Sequence, residues 1–187
     1  MISYEEALQR LLAGARPRPG RPRPLPAAAG GVTAEAAIAR LSVPGFANAA
    51  MDGYALHAAN TLAASPAHPL ALPVRGVIAA GDPPPASASR QWAFEILTGG
   101  PMPTGLDAVV PLERVTSRDV AGSAVLITEA LKPGQNVRHT GEDFLAGQTV
   151  VSAGVRLEPR HLMALAACGV DEVSVVPAPR VAVLVTG

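Results

Sequence analysis

The chain has 187 residues, of which 49% are hydrophobic and 16% charged, so it can bury a core and is not a disordered polymer. Its 15 basic residues balance its 15 acidic ones, which removes any broad basic field for nucleic acid. A single cysteine excludes an internal disulfide or a thiolate metal cluster and fits a reducing compartment.

Residues 1–14 carry Glu5 and Glu6 and no basic start ahead of an apolar stretch, so they do not read as a secretory signal. No run of about 18 apolar residues occurs, so no membrane helix is expected. A soluble, cytoplasmic protein is the expectation. Ser3 followed by Glu6 forms a capping-box pattern, and Tyr4, Leu8, Leu11 and Leu12 fall on one face of a short helix that ends near Gly14. The proline-dense stretch 16–24 predicts an extended, solvated connector. Residues 33–41, rich in alanine behind Thr33, predict a second short helix stopped by Pro44 and Gly45.

The stretch 44–55, PGFANAAMDGYA, is locally polar and flanked by aromatics in a chain with only 3% aromatics. It reads as a loop that leads into a strand at 54–56. From about 70 to 130 the pattern turns to β. Strands are expected at 72–79, 92–97, 108–115 and 124–129, with turns at 81–85, 99–105 and 117–122, which together suggest a small antiparallel sheet or barrel. A polar segment follows at 134–143, then a strand at 149–152. A helix starts at Glu158-Pro159, where proline costs nothing, and ends at Gly169. A strand at 173–176 follows. Residues 180–187 form a nearly continuous apolar run, as in a strand buried on both faces of a parallel sheet. Such a strand without partners leaves backbone groups unpaired. The sequence is therefore expected to stop at the entrance to a further domain.

Four places carry chemistry, and each has two readings. Asp52-Gly53 is either a common turn pair or a presented carboxylate. Residues 98–103, TGGPMP, form either a turn or a backbone loop that offers N–H groups and the Thr98 hydroxyl to an anion. Residues 134–143 form either a solvated loop, with Glu142 or Asp143 capping turns, or a cation for an oxyanion beside a carboxylate for a metal or proton. Glu113 is an edge charge or a site residue. Cys168, at a helix end among Ala and Leu, reads as a buried structural thiol. His57 and His161 have no partner at ligand spacing and are expected on the surface.

The ordered set PGFANAAMDGYA, ILTGGPMPTGLDAVVPLE, GQNVRHTGEDFLAGQ and VAVLVTG resembles the molybdopterin molybdenumtransferases of the MoeA/gephyrin type, from about Ser3 to the end. Four motifs in order are highly specific. The resemblance implies a mixed α and β fold. It has an elongated discontinuous α/β domain (1–44 and 142–177, the dimerisation domain) with an inserted β-barrel-like domain (45–141). Residues 178–187 would be the first strand of a missing α/β molybdopterin-binding domain.

The implied activity is insertion of molybdenum from molybdate into adenylated molybdopterin with release of AMP, assisted by Mg2+. A non-catalytic dimerisation or scaffold module of the same descent is the competing class. By motif match Asp52, Thr98 and Asp143 correspond to active-site positions, with Asp52 also the metal ligand. Arg138, Glu113 and Asn48 are the implied contacts to molybdate or substrate. A dianion calls for cations and donors, and a hard cation on a pyrophosphate calls for carboxylates. A homodimer whose site combines two subunits is implied, with neither nucleic acid nor membrane as partner. Ala47 and Ala49 depart from the Asp and Ser usual in the family pattern.

Overall fold

The structure, a computed structural model, describes residues 2–16, 18–83, 87–115, 123–183 and 185. The expected turn at 117–122, Pro84 and Pro85 of the turn at 81–85, Pro17, Leu184 and Thr186-Gly187 lie outside the described residues. Along the chain run α1 (Tyr4–Gly14), β1 (Arg21–Pro24), β2 (Val32–Thr33), β3 (Ala37–Ile38), β4 (Asn48–Ala49) and β5 (Gly53–Leu56). Then come β6 (Leu70–Ile78), β7 (Ala93–Ile96), β8 (Ala108–Pro111), β9 (Ala124–Ile127), β10 (Val137–Arg138), β11 (Thr149–Val151), α2 (Pro159–Ala167) and β12 (Glu172–Val176). The fold is mixed α and β, and mostly strands. Contacts divide the chain into two compact units, Met1–Leu41 with Ala146–Gly187, and Ser42–Leu145.

In the first unit β12 lies between β1 and β2, antiparallel to both, while β3 pairs with β11. Two expectations are corrected here. Residues 33–41 are not a helix: alanine's helix propensity yields to strand pairing at β2 and β3. The buried Thr33 fixes this choice. Its hydroxyl donates to Ser152 O at 2.7 Å and accepts from Val155 N–H at 3.0 Å. The second correction is that residues 21–24, extended and exposed as expected, are a paired strand rather than a connector. It is an edge strand, where proline's missing N–H is tolerated. The other two expected helices form, α1 with Ser3 as its cap and α2 with Pro159 at its first position. Ser3 Oγ accepts from Glu6 N–H at 3.1 Å, and His161 Nδ1 accepts from Glu158 N–H at 3.0 Å. His161 is thus engaged in the start of α2, half-buried rather than a free surface group. Cys168, at the end of α2, is fully buried. Arg180, Val181, Ala182, Val183 and Val185 form no strand and are exposed.

The second unit is a five-stranded sheet in the order β8-β5-β7-β6-β9. It is open, with β8 and β9 at its edges. The pairs are antiparallel except β6–β7, which is parallel, against the all-antiparallel expectation. The connection through 79–92 is long enough for that crossover.

Both faces of the sheet are covered. Tyr54, Leu56, Ala108, Val110, Val125 and Ile127 lie in one cluster, and Ala55, Val109, Ile96 and Ile78 in another. Alternation along β5 and β8 sends successive side chains to opposite clusters. In β6 the register against β7 shifts between Val74 and Val77. That irregularity changes the phase, so Leu72 and Ile78 face opposite clusters although six residues apart in a strand. The expected strand at 108–115 ends at Pro111, and a 3-10 turn follows at Leu112–Arg114. Backbone bonds between Val43 and Phe144 close the unit, at 2.8 Å and 3.1 Å.

Candidate functional site

The stretch around Asp52 is threaded between two others. Ala49 N–H donates to Gly100 O at 3.0 Å, and Gly99 N–H returns to Ala49 O at 2.9 Å. On its other side β4 pairs with β10, setting Ala49 opposite Val137 and Asn48 opposite Arg138. Ala50 N–H donates to Asn136 O at 3.0 Å. The three polar motifs, far apart in sequence, therefore meet along one short ribbon.

Gly53 shows why the ribbon needs its glycine. A Cβ there would lie 2.0 Å from Val110 O, inside any allowed contact. Its absence lets β5 approach β8 and swings Asp52 out at the strand's start. Asp52 is exposed, and both the N–H and the hydroxyl of Thr98 donate to its Oδ1, each at 2.7 Å. Asp52 O also accepts from Leu112 N–H at 3.2 Å. The Thr98 hydroxyl, followed by the Thr98 N–H, holds the Asp52 carboxyl below its ordinary range, against a smaller upward push from burial. The result is an ionised carboxylate, anchored through one oxygen.

A second pair lies at the far end of the ribbon. Arg138 Nη2 donates to both carboxylate oxygens of Asp143, at 2.7 Å each. The hydrogen bond to Asp143, then its charge, raises the Arg138 pKa above its ordinary value, with Glu142's charge adding and burial opposing. Asp143 N–H donates to Val43 O at 2.9 Å, and Glu142 accepts from His139 N–H at 2.9 Å.

Among the described residues no hydrogen bond or ion pair links Asp52 to Arg138 or Asp143, and β4 connects the two pairs. Asn48 is buried, and its Nδ2 donates to Phe46 O at 3.1 Å. Glu113 is exposed on the 3-10 turn, one residue beyond the N–H that reaches Asp52. Among the described residues no group of three His, Cys, Asp or Glu converges as a metal cage. A carboxylate with one oxygen anchored fits a hard cation that keeps its waters and binds phosphate oxygens rather than one needing a full protein cage.

Two residues of this region escape a reading of the sequence. Asn136 adopts φ 57°, and its Nδ2 donates to Val109 O at 2.8 Å. Asparagine's tolerance of the left-handed region, right after a Gly-Gln pair, was the available signal. Asp107 accepts from Ala58 N–H at 2.7 Å; its position just ahead of an apolar strand was the only sign. His57, expected at the surface, is instead half-buried, with Nδ1 3.4 Å from Asp107 Oδ2.

The fold agrees with the comparisons. A family model described as the MoeA N-terminal region (domain I and II) matches residues 2–169, and the chain belongs to that family. It is 41% identical over 164 residues to molybdopterin molybdenumtransferase 2 of Mycobacterium tuberculosis strain H37Rv, covering 88% of this chain and 40% of that protein. It is 34% identical over 190 residues to the molybdopterin molybdenumtransferase of Synechococcus elongatus, covering all of this chain and 46% of that one. A solved structure of the molybdopterin biosynthesis moeA protein from Pyrococcus horikoshii OT3 superposes with a TM-score of 0.85 at 33% identity, over 94% of this chain and 46% of that one. The chain thus spans less than half the length of each of these relatives.

Proposed function

We propose that this chain is the N-terminal part of the machinery that inserts molybdenum from molybdate into adenylated molybdopterin, with release of AMP, in molybdenum cofactor biosynthesis. The observation that carries the reading is the Asp52–Thr98 pair, set between the motifs that resemble those of the molybdenumtransferases. In this reading the unit Ser42–Leu145, with its open sheet, stands for the inserted domain expected at 45–141, and the two flanking segments stand for the discontinuous one. The 187 residues alone are inactive, since the relatives named molybdopterin molybdenumtransferase run to more than twice this length.

The chemistry follows from the side chains. Thr98 fixes one oxygen of the ionised Asp52 carboxylate and leaves the other for a ligand. Asp52 would hold Mg2+, which supplies charge neutralisation on the phosphate oxygens of the adenylate. Asp143 holds the Arg138 guanidinium in place through Nη2, and its remaining N–H groups serve the molybdate oxyanion. Asn48, turned to Phe46, keeps the loop in place beside Arg138. Glu113 adds negative charge on the Asp52 side and favours a cation there.

Ala47 and Ala49 do not weaken the pair. Ala49 is buried, and Asp52 is held by Thr98 and Leu112. Met51, Leu97 and Leu112 flank the pair with 37%, 38% and 39% of their surfaces exposed. An apolar rim around a charge suits coverage by a second subunit, as in a homodimer with a shared site.

The test joins residues 1–187 to the remainder of the Synechococcus elongatus relative and measures AMP release. Asp52→Ala should lower turnover by on the order of 10²-fold or more. Turnover within about twofold of the parent would remove Asp52 from the reaction and favour the scaffold reading.

A further inference from the structure

We infer that Asp107 is a positioning residue for the Arg138 side of the ribbon, and that His57 helps to hold it. The inference rests on the proposed function only for what the positioning serves. Asp107 joins three segments. Its own N–H donates to Leu56 O at 3.1 Å, at the end of β5. Its Oδ1 accepts from Ala58 N–H at 2.7 Å. Its carbonyl accepts from Gly134 N–H at 2.7 Å.

Gly134 has a φ of 79°, a turn that sends the chain back along β8. From there the bonds run in step. Val109 N–H donates to Gln135 O at 3.0 Å, Asn136 Nδ2 to Val109 O at 2.8 Å, and Ala50 N–H to Asn136 O at 3.0 Å. Val137 and Arg138 then pair with Ala49 and Asn48. Whatever fixes Asp107 fixes where Arg138 falls on β4.

His57 explains the other carboxylate oxygen. Its Nδ1 is buried and makes no hydrogen bond of adequate geometry, yet Asp107 Oδ2 is 3.4 Å away. A buried ring nitrogen without a partner needs a reason. The Asp107 carboxylate draws the imidazole proton to Nδ1, and the ring in turn keeps the carboxylate from rotating off Ala58. Asp107 also lines a cavity of about 430 Å³ with Ala47, Met102, Val137 and His139.

The test is amide hydrogen exchange by NMR on the 187-residue chain, with imidazole nitrogen shifts for His57. In Asp107→Ala, exchange at Gly134, Val109 and Ala50 should rise about tenfold or more while Val74, on β6, stays unchanged. Asp107→Asn keeps the oxygen that accepts from Ala58, and should return exchange to within about threefold of the parent. His57 should carry its proton on Nδ1 in the parent and lose that preference in Asp107→Ala. If Asp107→Ala does not fold, His57→Gln decides, and faster exchange at Gly134 with Val74 unmoved is expected. Equal acceleration across the whole sheet, or none at Gly134 and Ala50, overturns the inference. Each reads the linkage whether or not the chain serves molybdenum insertion.

Discussion

At the scale of single residues, the ribbon depends on what Thr98 does to Asp52. A carboxyl whose folded pKa is depressed stabilises the fold above its ordinary range, and loses that contribution as pH falls through the lowered value. Thr98→Val removes the larger of the two causes, the hydroxyl, and keeps the N–H. The Asp52 carboxyl should then titrate at higher pH, closer to its ordinary range, in a side-chain carbon NMR titration. Thr98→Ser should leave it low. An unchanged midpoint in the valine variant would mean that the hydroxyl does not lower the Asp52 pKa. Gly53→Ala is the harsher change. Its methyl would strike the Val110 carbonyl at 2.0 Å, and overpacking against backbone that cannot yield costs about 3 kcal/mol or more. Urea unfolding of that variant should show the loss; a difference under about 1 kcal/mol would mean that β5 and β8 separate with ease.

At the scale of elements, Thr33 is the residue on which the first unit turns. Thr33→Val keeps the shape and removes a hydroxyl that serves Ser152 and Val155. Leaving such groups unpaired should cost about 1–3 kcal/mol in urea unfolding. The elements that the sequence announced are those with local punctuation. Ser3 with Glu6 and Pro159 behind Glu158 mark helix starts through bonds made within one turn. Glycine and proline clusters mark off short strands in the same way. The elements that stayed hidden are set by distant partners. Residues 33–41 look helical from composition, yet β12 and β11 supply the bonds that make them extended. Residues 21–24 look like linker until β12 lies beside them. The parallel β6–β7 pair and the phase change in β6 follow from no local signal. The site shows the same division. Its residue types were legible from their motifs, while the pairing of Asp52 with Thr98, and of Arg138 with Asp143, needed the ribbon. Asp107 and His57 were illegible because their roles lie in contacts fifty residues apart in sequence.

At the scale of the whole molecule, the second unit is one continuous stretch and the first is two segments. The Val43–Phe144 bonds bring the ends of the stretch together, and its two clusters, within Ser42–Leu145, are its own. A polypeptide of residues 42–145 should therefore fold alone and unfold cooperatively in urea, with dispersed amide NMR signals. A collapsed polypeptide without such signals would show that the flanking segments are needed.

The edge strand β1 has a consequence for synthesis. Its partner β12, like the partners of β2 and β3, lies beyond Ala146. As the chain leaves the ribosome at about 5–20 residues per second, residues 42–145 take roughly 5–20 s to appear. For that time the first strands wait for strands not yet made. Alternating arginine and proline at 21–24 lets β1 wait safely. The prolines offer no N–H to a stray neighbour, and the arginines keep the segment hydrated and repel another copy of it. A stretch that resembles a linker thus doubles as a strand kept soluble until its partner is translated.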